Sequence, residues 1–297
     1  MKQISALLLL IICLALPVIW PYSEANILTT TESTSEGRAV AGTDKTTTAV
    51  PIIMYHSLLK DVSLQNKFVI SPDLLEQDIL YLTGHGYTTI TMTELIDHVN
   101  TGSPLPEKPV ILTFDDGYYN NYYYGYPLFQ KYNVKAVISV VGTYTEQFSN
   151  TDDNHPNYSH LTWNQLKEMS ESGLVEIQNH TYDLHSVQDS RKGAGRMVGE
   201  TDEQYRSRLS RDVIKMQELL LLHCDILPNT FTYPYGEISE GSDEILKNLG
   251  FEATLGCYEK TNWISSNGDE TQLFQLGRYL RPNHLNSSEY FTRIGLL

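Results

Sequence analysis

Beyond residue 50 the apolar positions alternate between short continuous runs and longer stretches with helical spacing. Residues 51–55, Pro-Ile-Ile-Met-Tyr, read as a buried strand. Ser71 then offers an N-cap and Pro72 a first-turn residue, and Leu75, Ile79 and Leu82 fall on one helical face before Gly84 and Gly86 end it. Residues 108–114 predict a strong strand, 118–132 a helix and 135–141 a strand. Thr162 caps a helix that stops at Gly173. The theme continues with a strand at 174–178, a long helix at 200–223 and a short strand ending at Phe231. A helix at 239–249, strands at 251–255 and 275–280 and a closing helix at 287–294 complete it. No internal repeat is visible. Strand–helix units in this order predict an α/β fold with a parallel sheet closed, or nearly closed, into a barrel. Chemistry in such barrels gathers where strands end and loops begin.

Ahead of residue 50 the pattern is different. Residues 4–20 form an apolar run broken only by Ser5, behind a single Lys2, and Ser23-Glu24-Ala25 has the small-x-small form of a signal-peptidase site. The run is short for a membrane span and long for a signal core. Two outcomes stay open: export with cleavage after Ala25, or retention of residues 1–25 as an anchor that tethers the protein to a membrane. Either places the protein outside the cell or at its surface. Cys13 follows Ile12 rather than a small residue, which weakens a lipoprotein reading. Residues 26–49 are rich in Thr and Ser, lack apolar periodicity and read as a flexible linker. Residues 50–297 are left as the folded domain.

Composition narrows the function. The net charge of −15 argues against nucleic acid, whose backbone phosphates such a chain would repel. Twenty tyrosines suit contacts with sugars, and suit equally a half-wet barrel rim. Outside the leader only Cys224 and Cys257 remain; both are expected to be free, and the absence of any Cys-x-x-Cys argues against a thiolate zinc site. No protein partner can be inferred.

Polar residues after the strands carry the chemistry. Thr113-Phe114-Asp115-Asp116-Gly117 follows the strand at 110–112. Adjacent carboxylates at a strand end repel, so something cationic must compensate them. A hairpin turn is the bland reading of Asp-Gly, but Tyr118-Tyr119-Asn120 does not alternate as a return strand should. Asn179-His180-Thr181-Tyr182-Asp183-Leu184-His185 follows the strand at 174–178. Two histidines five apart would diverge by about 140° on a helix, but a loop can bring both to one ion. Asp116, His180 and His185 would form a His₂-carboxylate site whose open position suits a catalytic zinc. Asp115, free of the metal, could act as general base. In Phe231-Thr232-Tyr233-Pro234-Tyr235-Gly236 the turn could present the Tyr235 N–H to an oxyanion.

In this order and spacing, TFDDG, the His-Thr…His loop and the Pro-Tyr-Gly turn resemble the polysaccharide deacetylases of carbohydrate esterase family 4, the NodB-homology domain, over roughly residues 50–295. The resemblance implies a distorted (β/α)₇ TIM-like barrel, an acetylated polysaccharide substrate and a divalent metal, zinc foremost. It assigns the metal to Asp116, His180 and His185, the base to Asp115 and the oxyanion donor to the Tyr235 N–H. Three features depart from the family pattern. The histidines are five apart rather than four, Thr232 stands where an Arg is usual, and the late Leu-x-His motif is not recognisable. The five-residue spacing, the Tyr-Pro-Tyr-Gly form and Met54-Tyr55-His56 are similar to the branch acting on poly-N-acetylglucosamine. Asp115 could return the water's proton to the leaving group itself; otherwise His56 or His284 becomes the general acid, His56 preferred because it follows the first strand. Arg278 or Arg281 becomes the residue that orients Asp115. Peptidoglycan and xylan are the alternative substrates. A non-catalytic carbohydrate-binding relative and a non-haem iron oxygenase, which would need a jelly roll, are the alternatives of other classes. Asp152, Asp153, His155, His160 and His223 are read as structural or solvent-facing imitations of a metal cluster.

Overall fold

The computed structural model describes residues 47–151 and 153–296. The segment assigned as leader, the linker up to residue 46, and Asp152 lie outside the described residues. None of the described helices is long and apolar enough to cross a membrane.

The chain enters through β1 (Thr48–Val50) and β2 (Ile52–Tyr55), the latter wholly buried. β3 (Ser57–Leu58) and β4 (Val69–Ile70) pair as a short ribbon. α1 (Pro72–Gly84) begins as expected, with the Ser71 side chain accepting from the Leu74 N–H, and it buries Leu75, Ile79 and Leu82. After β5 (Thr88–Thr89) comes α2 (Met92–Thr101), absent from the elements expected above although Met92, Leu95, Ile96 and Val99 fall on one buried face. Its signal is a reciprocal capping box between Thr91 and Glu94, closed by Gly102 in the left-handed region. β6 (Pro109–Phe114) is buried along its length. The helix expected over 118–132 is interrupted: residues 121–125 form a π-helical turn before α3 (Tyr126–Tyr132), and Tyr118 bridges His160 instead. β7 (Ala136–Val140) leads into α4 (Gly142–Thr151), also unpredicted, because its sequence is largely polar.

α5 (Trp163–Glu171) starts at the Thr162 cap, and β8 (Val175–Asn179) follows. A small hairpin, β9 (Val187–Gln188) with β10 (Arg191–Lys192), precedes α6 (Asp202–Cys224). The chain ends through β11 (Thr230–Thr232), α7 (Ser242–Asn248), β12 (Ala253–Leu255), β13 (Asn262–Ile264), β14 (Tyr279–Leu280) and α8 (Ser287–Arg293). Unpredicted from the pattern, β13 pairs antiparallel with β1.

The main sheet runs β12-β11-β8-β7-β6-β2-β14 with every neighbour parallel. That order is chain order wrapped round a curled half-barrel of seven strands, as the barrel expectation required. A parallel bridge between Leu255 and Leu276 ties β12 to the segment that becomes β14, so residues 276–280 reach both edges. Only the end of the strand expected at 275–280 is regular. Alternate strand residues face opposite ways. Ile53, Leu112 and Ile138 join the cluster that packs on α1, α3 and α5; Ile52, Ile111 and Val137 join the one that packs on α2. The parallel half-barrel rules out the jelly roll on which the oxygenase alternative depended.

Candidate active site and metal centre

Because all seven strands are parallel, their carboxyl ends share one mouth. A cavity of about 610 Å³ opens there, lined by His56 after β2, Asp115 and Asp116 after β6, His180 and His185 after β8, and Tyr235 after β11. That volume suits a small-molecule or sugar site.

One oxygen of Asp116 meets both histidines. Its Oδ1 lies 3.0 Å from His185 Nε2 and 3.4 Å from His180 Nε2, and the three candidate ligand atoms fall within 4.8 Å of one another. Four ligands at ordinary zinc distances stand about 3.4 Å apart round a tetrahedral ion, so the spacing fits a divalent metal. The same Oδ1 is buried without a hydrogen-bond partner, as an atom reserved for an ion would be. His180 Nδ1 sits 2.7 Å from the Thr232 carbonyl. Donation to that carbonyl places the proton on Nδ1 and turns the Nε2 lone pair inward. Burial raises the Asp116 pKa, but the approach of His180 and His185 outweighs it and holds the carboxyl well below its usual range. Burial lowers His185, and the Asp116 carboxylate more than offsets it. Asp116 and Thr181 have φ of 70° and 77°, left-handed values that non-glycine residues adopt at a cost and that cluster at working sites.

Asp115 is almost wholly buried in the cavity wall and is held by Arg278 through two parallel hydrogen bonds of 2.7 and 2.8 Å. Arg278 is itself fixed by the Gly256 carbonyl at 2.8 Å and the Thr113 hydroxyl at 3.2 Å. Burial raises the Asp115 pKa, and the Arg278 guanidinium overrides it, keeping the carboxylate ionised. Of the two arginines left open by the sequence, Arg278 takes Asp115, whereas Arg281 takes Asp78. His56 Nε2 lies 4.0 Å from Asp115 Oδ2, its ring tilted against Phe68 at 5.0 Å. Burial lowers the His56 pKa against the pull of Asp115 and Asp116. His284 is exposed and does not line the cavity.

Tyr235 sits in a single 3₁₀ turn, Pro234–Gly236, with φ 58° and ψ 9°. Its ring lies 4.6 Å from that of His185. Gly236 is needed here, since a Cβ would come within 2.6 Å of the Cys257 Cβ. Phe68, Tyr118 and Cys257 also line the cavity and were missed. Cys257 follows β12 and was within reach of the strand-end argument; Phe68 carries no motif that would have betrayed it. Cys224 and Cys257 are both free.

Of the imitation metal residues, Asp153 and His155 are exposed, and His223 stacks on Trp163 at 4.9 Å. His160 is not solvent-facing. Its ring lies between Tyr118 and Tyr144, at 4.8 and 4.5 Å, with both nitrogens buried and unpartnered. Burial pushes its pKa down to about 4, against the pull of Asp116.

The polysaccharide deacetylase family model matches residues 102–254. Poly-β-1,6-N-acetyl-D-glucosamine N-deacetylase of Escherichia coli (strain K12) is 30% identical over 260 residues, covering 82% of this chain. The chain spans only 38% of that relative's length. Among solved structures, a de-N-acetylase from Aggregatibacter actinomycetemcomitans aligns with a TM-score of 0.69 and 27% identity, covering 83% of this chain and 98% of that one. IcaB from Ammonifex degensii aligns with a TM-score of 0.64 and 28% identity, covering 78% and 91%. The matched stretch holds TFDDG, both loop histidines and the Tyr235 turn, the segments that the fold gathers at one mouth, and on these grounds the chain belongs to the polysaccharide deacetylase family.

Proposed function

We propose that this protein hydrolyses N-acetyl groups from an N-acetylglucosamine-containing envelope or extracellular polysaccharide, poly-β-1,6-N-acetylglucosamine foremost, with a divalent ion held by Asp116, His180 and His185. The observation that carries the reading is the single Asp116 oxygen facing two imidazole nitrogens, with a second, arginine-held carboxylate beside it. A bound ion, zinc foremost, supplies a Lewis acid that polarises the acetamide carbonyl and makes water more acidic. Asp115 accepts the proton of the attacking water, and Arg278 keeps its carboxylate aimed at that proton. The Tyr235 N–H steadies the oxyanion as the carbonyl carbon becomes tetrahedral. An amide nitrogen cannot leave as an anion, so it must gain a proton as the C–N bond breaks. His56, within 4.0 Å of Asp115, is placed to relay it. The polymer preference rests on the relative that acts on poly-β-1,6-N-acetyl-D-glucosamine. Residues 1–25 act as the export signal or anchor and the Thr- and Ser-rich stretch after them as the linker, which stops short of 49 because Thr48 and Ala49 already pair with β13 of the catalytic domain; this puts the activity at the cell surface or beyond it.

Acetate release from β-1,6-linked N-acetylglucosamine oligomers, acetylated chitooligosaccharides, peptidoglycan and acetylated xylan tests this reading. The β-1,6 oligomers should turn over fastest, and activity should vanish with a chelator and return with zinc. Turnover indifferent to chelation, or confined to xylan, would overturn it.

A further inference from the structure

The four residues between His180 and His185 are gripped from two sides. On one side the first amides of α4 hold carbonyls of the loop: Gly142 N–H donates to Thr181 O at 3.0 Å and Thr143 N–H to Tyr182 O at 2.9 Å. Gly142 permits this approach, since a Cβ there would lie 2.6 Å from Tyr182 Cδ2 and 3.2 Å from its Cα. On the other side α6 supplies Asp212. Its Oδ1 accepts the Tyr182 N–H and its Oδ2 the Asp183 N–H, both at 2.8 Å. Asn179 completes the frame, accepting the Thr181 N–H at 2.8 Å and donating to the Val213 carbonyl at 3.3 Å, one residue along α6 from Asp212.

Asp212 is half-buried, and no described cation lies within ion-pair distance of it. A carboxylate so placed is costly unless hydrogen bonds compensate it, and bonds to an ionised acceptor are the strong ones. Both of its oxygens are spent on consecutive amides at the middle of the loop, the point where a fourth residue between the two histidines adds slack. Without the clamp, residues 182 and 183 could swing, and His185 would lose its fixed distance from His180.

We propose that Asp212 is the positioning residue of the metal centre: its two-oxygen grip on Tyr182 and Asp183 sets the spacing of His180 and His185, and so the affinity for the ion. This rests on the metal reading above. Asparagine at this position offers one oxygen and one NH₂, so at most one of the two bonds survives. Outer partners of metal ligands are typically worth about 10–100-fold in affinity.

The test is a zinc titration of the metal-free protein against a competing chelator, with thermal melting as a check on folding. Asp212→Asn should bind zinc about 10–100-fold more weakly than wild type, and Asp212→Ala more weakly still. Asp183→Asn removes the same charge one step away, leaves its own N–H bonded to Asp212, and should bind like wild type. Amide exchange at Tyr182 and Asp183 should quicken in both Asp212 variants, a change that a general loss of stability would not confine to these positions. Wild-type affinity in Asp212→Asn and Asp212→Ala would overturn the clamp while leaving the metal site standing. An equal loss in Asp183→Asn would overturn it in favour of a plain charge effect. Absence of zinc binding in wild type would overturn the metal reading and the clamp with it.

Discussion

Two buried aspartate–arginine pairs flank this sheet, built alike and placed differently. Arg278 holds Asp115 at 2.7 and 2.8 Å; Arg281, three residues on, holds Asp78 at 2.8 and 2.9 Å. All four side chains are almost wholly removed from solvent. An odd separation along an extended segment sends the two arginines to opposite faces. Arg278 turns to the strand-end mouth and Arg281 towards α1. There the Tyr55 hydroxyl also bonds Asp78, at 3.1 Å, and that carboxylate does not line the strand-end cavity. Burial pushes Asp78 above its usual range in spite of Arg281, whereas at Asp115 the arginine wins over burial. A forked arginine–carboxylate pair is therefore no mark of catalysis. What separates the two is access: Asp115 faces the cavity with His56 and Asp116 beside it, and Asp78 faces only protein.

The largest effect that would break this contrast lies at Asp115 itself. Asp115→Asn should keep the fold and bound metal yet lower turnover on the order of 10²–10⁴-fold, because an amide cannot take the water's proton. More than about a tenth of the wild-type rate in an acetate-release assay would move the base elsewhere. Next comes His56, which shares the mouth with Asp115. His56→Ala should cost on the order of 10²-fold in kcat with metal content unchanged, while exposed His284→Ala should change nothing. A defect in His284→Ala alone would reverse the two.

The arginines sharpen the comparison through stability. Arg278→Met and Arg281→Met each strand a buried carboxylate and should each lose about 3–5 kcal/mol in urea melts. Turnover per folded molecule should fall only in Arg278→Met. Replacing both partners, as in Asp78→Leu with Arg281→Met, should recover most of the lost stability, since an apolar pair needs no desolvation. Equal rate losses in the two single variants would erase the distinction drawn above.

The smallest effect concerns a buried group with no partner at all. His160 has a folded pKa of about 4, below the unfolded value near 6.5, so the unfolded chain binds the extra proton between those limits. Stability should fall as pH drops through that window and level off below it. His160→Phe keeps the stack on Tyr118 and Tyr144 and should remove about 1–3 kcal/mol of that decline, read from urea melts at pH 7 and 4.5. An unaltered pH dependence would show that His160 is not the titrating group.

Strand ends were the most legible part of this chain. Asp115 and Asp116 come at the end of the nearly continuous apolar run 109–114, which is what a two-sided buried parallel strand requires, and His180 follows the alternating run Val175-Glu176-Ile177-Gln178-Asn179. Elements whose stability comes from polar contacts were harder to see. α4 has few apolar residues and its amino end bonds the histidine loop, whereas α2 went unread although Met92, Leu95, Ile96 and Val99 form a buried stripe behind its Thr91 cap. The choice between Arg278 and Arg281 stayed open for another reason. Both sit beside one short strand, and their partners lie 163 and 203 residues away, a distance over which local pattern carries no information. Phe68 and Tyr118 enter the cavity only through the path of their loops.

Residues 276–281 close the barrel and also deliver Arg278, which has a consequence for the order of assembly. A chain made from its amino end presents Asp115, Asp116, His180 and His185 long before Arg278 exists. Until then Asp115 lacks its arginine partner, and burying it in the sheet is unfavourable. The Arg278–Asp115 contact and the contacts that join both sheet edges to the final segment span large sequence separations and complete only when residues 276–281 are in place. On the base assignment proposed above, a nascent chain can hold most of the site's residues and still lack the arginine that orients Asp115.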